Sequence, residues 1–310
     1  MRRSIIHCER AHAKVNLHLE VLHARTDGYH NLLSVMASVG LHDLLKLYEF
    51  ELVNGVPGEV EMTIEREGGK YASILEGVPV EKNLITKAAR KYMTKVGKAA
   101  KIVIGITKNI PAGGGLGGGS ADAAAMLRLL DISGDEKLGP DMLRTIACEV
   151  GADVPFCVTG GLSICEGIGD IIEDFFPLNG LTILLANNGL HVDTAAAYRL
   201  IDQSRPQGWA SPGFRAKKDK LRLACERSIK DIIQMSVNDF EVPVFNCYPA
   251  IADLKNRLLE NGAIFSMMTG SGSTVFGLFD NFEIAESARK SLCDEGIQVE
   301  LTEFVSSVKY

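Results

Sequence analysis

Lys14 stands alone among small and apolar residues in AHAKVNLHL, and Asp153 lies between Gly151 and Pro155 in the apolar stretch GADVPF. A carboxylate in such a setting must be paired or hydrogen-bonded, because burying a bare charge is very costly. Asp153 is therefore a candidate partner for an acceptor hydroxyl, with Lys14 as its cationic neighbour. A purely structural salt bridge remains the alternative. A third feature is TKNIPAGGGLGGGSADAAAMLRLLD, which holds six glycines in the seven positions 113–119 and then turns alanine-rich. Glycine has the most backbone entropy to lose, so a dense cluster implies that its backbone has a task.

The flanks of the glycine run suggest that task. Ile102, Ile104 and Ile106 alternate with Val103, Gly105 and Thr107, as in a strand with one apolar face. Pro111 ends any ladder. Ser120 can cap a helix, and residues 121–130 are strong helix formers. Strand, glycine loop and helix in that order make an anion cradle, since a helix N-terminus presents unpaired N–H groups and glycines let the backbone approach closely. It is not a Walker loop. No lysine follows the second glycine at the required spacing, and Lys108 lies before the run. Gly113 to Gly118 also satisfies G-x-G-x-x-G, which leaves a dinucleotide-dependent oxidoreductase as a rival reading. A flexible linker is disfavoured by the tight bracketing.

Further along, residues 13–21, 41–51 and 60–66 read as strands, and EKNLITKAARKYMTKVG as a helix starting near Asn83 and ended by Gly97. Residues 141–150 form a helix stopped by Gly151. After about residue 178 the pattern predicts a strand at 181–186 and a helix at 194–201. Helices follow at 221–235 and 249–261, strands at 263–268 and 274–279, a helix at 282–295 and a strand at 299–305. This is a split β-α-β, ferredoxin-like α+β plan. Residues 203–220, polar and broken by two prolines, read as a long loop or lid. The expected domains are 1–178 and 179–310.

The chain has 310 residues, 46% hydrophobic, and a net charge of −6, which argues against a nucleic-acid or membrane surface. Its seven cysteines form no C-x-x-C pair and suggest reduced thiols in the cytoplasm. The histidine spacings suit no zinc pattern. There is no signal-peptide pattern, no apolar run long enough to span a membrane and no internal repeat.

PAGGGLGGGSAD resembles the second motif of the GHMP kinases, AHAKVNL their first, and MTGSGSTVFGLF their third. RTDGYHNL, GADVPF, GIGD and NDFE resemble the branch that phosphorylates the 2-hydroxyl of 4-diphosphocytidyl-2-C-methyl-D-erythritol, a step of the non-mevalonate isoprenoid route. The resemblance runs from residue 11 to 279 and implies the GHMP kinase fold, with an N-terminal mixed α/β domain. It implies ATP, presumed to enter with Mg²⁺, as cofactor, and an acceptor carrying a cytidine diphosphate. It makes Lys14 and Asp153 the catalytic pair: the aspartate takes or orients the hydroxyl proton, and the lysine steadies developing charge. Pro111, Ala112, Gly113, Gly114, Gly115, Leu116, Gly117, Gly118, Gly119, Ser120 and Ala121 become the phosphate cradle. Asn83, Leu84 and Lys108 fall in the adenosine pocket. TDGYH is an ordinary Asp-Gly turn signal, but a turn does not explain the aromatic and imidazole that follow. Tyr29 and His30 belong by resemblance to a cytidine pocket, with Tyr198 as the opposite stacking wall; a core position is the alternative for Tyr198. Asn16 and Thr194 become polar contacts to the acceptor. No metal ligand is assigned, Ser120 and Asp122 being the candidates. A monomer or homodimer is expected. Homoserine- or mevalonate-type kinases are the nearest rivals.

Overall fold

The computed structural model describes residues 3–176, 180–205 and 214–308. Two long strands, β1 (His7–Ala24) and β2 (His30–Val53), form an antiparallel pair closed by the turn at Gly28, whose φ is +87°. β2 begins well before residue 41, where alternation first suggests a strand. Its first half, NLLSVMASV, is almost entirely buried, and a strand covered on both faces shows no polar alternation. After β3 (Val60–Gly68) come α1 (Leu84–Lys95) and β4 (Ala99–Thr107), then α2 (Gly118–Ser133), α3 (Gly139–Cys148), α4 (Val154–Thr159), β5 (Leu162–Gly167) and β6 (Ile171–Phe175). The first sheet runs β3-β4-β2-β5-β6, with β1 also on β2. Only the β3–β4 pairing within it is parallel.

The second sheet is built from β7 (Thr182–Asn187), β8 (Phe265–Met268), β9 (Val275–Phe279) and β10 (Gln298–Glu303), in the order β10-β7-β9-β8. With helices between β7 and β8 and between β9 and β10, this is the expected split β-α-β arrangement. Those helices are α5 (Thr194–Ser204), α6 (Phe214–Arg227), α7 (Ile229–Met235), α8 (Glu241–Cys247), α9 (Pro249–Glu260) and α10 (Phe282–Asp294).

The core has three parts. Ile102, Ile104 and Ile106 of β4 pack with Tyr92 of α1, Leu127 of α2 and Phe156 of α4. Val15 of β1 and Leu33 of β2 pack with Ile183, Met267 and Phe276 of the second sheet and Leu221 of α6, so the two sheets share one apolar layer. α5, α8, α9 and α10 cover the far side of the second sheet through Ala197, Val244, Leu254 and Ala288.

Two expectations about the 203–235 region change. Residues 214–220 are helical rather than part of a loop, because Lys217 and Lys218 find Glu20 and Glu166 and so anchor α6 to the first sheet. The helix expected at 221–235 is divided at Ser228, whose side chain caps α7 by accepting from the Asp231 amide. The remainder of the expected lid, 206–213, and the expected domain boundary at 178 lie outside the described residues. Missed by periodicity are the β5–β6 hairpin, α4 and α8, all seven residues or shorter.

Candidate active site

The glycine run leaves β4 and enters α2, as expected, but its helix is capped differently. The cap is Gly117, at φ +70°, and Ser120 lies inside the first turn. Gly117 has no side chain to bond the first-turn amides, and among the described residues no other side chain does so. Those N–H groups carry the positive end of the helix dipole and remain available to an anion. Glycine is required at specific points. A Cβ on Gly115 would lie 2.1 Å from the Thr269 carbonyl, and one on Gly113 2.4 Å from His191 Nδ1. The loop is thus pressed against the turn between β8 and β9, and the Thr274 amide donates to Gly114 O at 3.3 Å.

Lys14 lies directly under Gly117. Its amide donates to Leu116 O at 3.0 Å, and a Cβ on Gly117 would meet its side chain at 3.1 Å. Its ammonium is 3.5 Å from Asp153 Oδ2. The lysine side chain is 4% exposed and that of Asp153 32%, so the cation is buried and the carboxylate is partly open to solvent. Asp153 is placed by geometry as much as by charge: it precedes α4, with Pro155 in that helix's first turn. The expected pair is therefore assembled, at the mouth of the glycine loop.

Other expected residues fall in several places. Asn83 caps α1, accepting from the Ile85 amide at 3.0 Å, and Leu84 follows it. Asn83 also borders a cavity of about 290 Å³ lined by Ile64, Leu75, Gly77, Val78 and Val80 and by the Arg66–Glu76 ion pair. Lys108 does not join them. It is 4% exposed beneath the loop, its ammonium held by Asp43 and, at 2.6 Å, by Asp122 Oδ2. Asp43 also accepts from the Asn109 and Ile110 amides, so this triad ties the entrance of the loop to α2. Burial and the neighbouring Asp43 push the Asp122 carboxyl up, against the pull of Lys108. A carboxylate so enclosed is not placed to ligate a cation in the cleft.

Asn16, expected at the acceptor, is 1% exposed and gives its side chain to Lys14 and Ser34. Thr194 Oγ1 is 3.0 Å from Ser271 Oγ, which fastens α5 to the turn between β8 and β9. His30 and Tyr198 come together, but as direct neighbours: their rings stack at 5.0 Å and 21°. Stacked rings sit about 4.5–7 Å apart, so no base fits between these two. Tyr198 also meets Phe240 edge-on, and burial, with a lesser push from the Asp153 charge, raises its hydroxyl to about 12. Tyr29 is 59% exposed beside them. His30 Nε2 lies 2.8 Å from Asp202 Oδ1, a partner that nothing in the sequence singles out. Asp43 and Ser34 were likewise silent in the sequence, since their signal is a hydrogen-bond partner far along the chain.

A glycine-lined helix N-terminus with a lysine–carboxylate pair at its mouth is the construction of a small-molecule kinase, with ATP as the phosphoryl donor. Models of the GHMP kinase N-terminal and C-terminal domains match residues 83–161 and 221–298. The chain belongs to the GHMP kinase family. Among curated relatives, 4-diphosphocytidyl-2-C-methyl-D-erythritol kinase of Pelobacter propionicus is 36% identical over 92% of this chain and 94% of its own. The protein of the same name from Caldicellulosiruptor bescii is 35% identical over 88% and 89%. A crystal structure of 4-(cytidine 5'-diphospho)-2C-methyl-D-erythritol kinase superposes with a TM-score of 0.72 at 28% identity, covering 96% of this chain and 99% of that one. Homoserine kinase from Cytophaga hutchinsonii, at 20% identity and a TM-score of 0.71, shares the fold.

Proposed function

We propose that this protein transfers the γ-phosphoryl group of ATP to the 2-hydroxyl of 4-diphosphocytidyl-2-C-methyl-D-erythritol. The observation that carries the reading is the Lys14–Asp153 pair, 3.5 Å apart at the mouth of the uncapped α2 N-terminus. The names of relatives that match nearly the whole chain supply the acceptor.

Phosphoryl transfer is mainly positioning and charge stabilisation. In this reading the amides of residues 113–120 hold the β- and γ-phosphates, the Ala121 amide being taken by Gly117 O, and the cavity beside Asn83 takes the adenine. Asp153, on the cleft side, accepts the hydroxyl proton as the oxygen attacks. Lys14, behind it and 3.5 Å away, orients that carboxylate and faces the charge gathering on the transferred group. Among the described residues, no group of three His, Cys, Asp or Glu side chains is placed to hold a metal. A magnesium ion entering with ATP would rest on the nucleotide's own oxygens, and no step here depends on a protein site for it.

The cytidine end would dock at Tyr29, His30 and Tyr198. Because His30 and Tyr198 are already in contact, the base uses the exposed Tyr29 as its second wall, or parts the pair. Residues 1–178 and 179–310 act as two domains in this reading, with the cleft between them. Among the described residues no helix is long and apolar enough to cross a membrane, and we place the enzyme in the cytoplasm. ADP release across a panel of alcohols tests the proposal. Turnover should require 4-diphosphocytidyl-2-C-methyl-D-erythritol. Comparable kcat/KM for methylerythritol phosphate lacking the cytidylyl group would reject the cytidine reading, and turnover of homoserine or mevalonate alone would reject the assigned acceptor.

A further inference from the structure

The ammonium of Lys14 is aimed by a chain of hydrogen bonds that starts at a backbone carbonyl. His18 O can only accept. The Ser34 hydroxyl, 2.8 Å away, must therefore donate to it. That spends the only proton of Ser34, so its oxygen accepts from the Asn16 amide at 2.8 Å. Asn16 must then turn its NH₂ toward Ser34 and its carbonyl toward Lys14, whose ammonium donates to Oδ1 at 2.7 Å. The direction of each bond follows from the one before, which settles the orientation of an amide whose two ends look alike. A second contact guards the result: the Asn16 N–H donates to Thr269 Oγ1 at 3.0 Å, and that hydroxyl lies 3.3 Å from both Asn16 Oδ1 and Gly115 O. All of this is out of water, with Ser34 at 0%, Asn16 at 1% and Thr269 at 0% exposure. Interruptions of the β1–β2 register fall on either side of the Lys14–Asn16 stretch, so the ladder alone does not fix these side chains.

We propose that Ser34 is a positioning residue for phosphoryl transfer: it locks the Asn16 amide so that a carbonyl, never an NH₂, faces Lys14. The inference rests on the reading of Lys14 as the catalytic cation. Without the hydroxyl, the Asn16 NH₂ loses its acceptor, and only Lys14 and Thr269 still oppose a flip. A flipped amide presents N–H to N–H, and the ammonium is pushed off its line to the transferred group. A misplacement of this kind costs turnover rather than binding.

The test is steady-state kinetics of Ser34→Ala, Ser34→Thr and Lys14→Met with ATP and 4-diphosphocytidyl-2-C-methyl-D-erythritol. Ser34→Ala should lower kcat by about tenfold, the effect of one lost buried hydrogen bond, with both KM values within about twofold of wild type. Ser34→Thr keeps the hydroxyl and should recover most of the rate. If the alanine variant does not fold, Ser34→Cys replaces it, since the thiol keeps the volume but accepts poorly. An unchanged kcat in Ser34→Ala, equal loss in the alanine and threonine variants, or a rise in acceptor KM in place of the kcat loss would each overturn the lock. Lys14→Met separates the two readings: if it turns over normally, the catalytic assignment of Lys14 fails. If it is inactive while Ser34→Ala is normal, only the lock fails.

Discussion

Asp153 and Lys14 differ in exposure, the carboxylate partly open and the ammonium buried beside it. That arrangement predicts the outcome of neutralising the carboxylate. Asp153→Asn is nearly isosteric, and removing a general base costs about 10²–10⁴ in rate. Its kcat should fall by that order while calorimetry shows ATP affinity retained. A variant keeping a third of the wild-type rate would make the pair structural. The His30 ring is held by Asp202 on one edge and Tyr198 on its face. Tyr198→Ala should therefore raise acceptor KM and leave the KM for ATP nearly unchanged. Asp202→Ala should act in the same direction but less, since it loosens His30 without removing a ring. A change confined to the KM for ATP would move this cluster out of the acceptor site.

The element that defines the site is the loop between β4 and α2, and its glycines differ in what they do. Gly115 has φ +75° and no room for a Cβ against Thr269 O, so it serves the packing of the loop on the second sheet. Gly119 has no positive φ and its nearest neighbour, Leu84, is 3.6 Å away, so a methyl group fits there. Gly115→Ala should destabilise the fold outright. Gly119→Ala should keep the melting temperature within a few degrees and still weaken ATP binding, because the added methyl stands where the backbone meets phosphate. Equal ATP affinity of Gly119→Ala and wild type by calorimetry would remove that amide from the cradle. The Asp43–Lys108–Asp122 triad belongs to the same element. It explains why a conspicuous lysine beside the glycine loop does not point into it: its charge is needed between two buried acidic side chains, and stranding them would cost roughly 3–5 kcal/mol.

At the scale of the whole molecule, the long β1–β2 pair reaches from the first sheet to the shared core, and its stability has a pH signature. His12 Nδ1 on β1 donates to Val39 O, 3.1 Å away, and the ring faces His42. Burial, only partly offset by that carbonyl and reinforced by His42, Arg128 and Arg10, lowers its imidazole from 6.5 to about 4. The folded state thus binds the proton less readily than the unfolded state. The stability that neutral His12 contributes is complete above pH 6.5 and is lost as pH falls toward about 4. Urea midpoints measured across that window should drop for wild type and drop less for His12→Gln. Parallel curves would place the acid sensitivity elsewhere. All seven cysteines are free, so no disulfide supports this pair.

The sequence by itself determined whatever is local. The glycine density and its flanks marked the loop, isolation of Lys14 and Asp153 among apolar residues marked the pair, and period and caps located α1, α9 and α10 within a residue or two. Tertiary structure decided the partners. Asn16 meets Thr269 across 253 positions and Lys108 meets Asp43 across 65, while His30 meets Asp202 across 172. No spacing rule reaches so far, because these contacts depend on sheet register and on the packing of one sheet against the other. The same reason governs Ser120 and Asn16. Each carries a side chain able to serve a local role, as cap or as ligand. What each does instead was set by the turn at Gly117 and by the chain of hydrogen bonds from His18 O, and both exist only once β1, β2 and the loop are together.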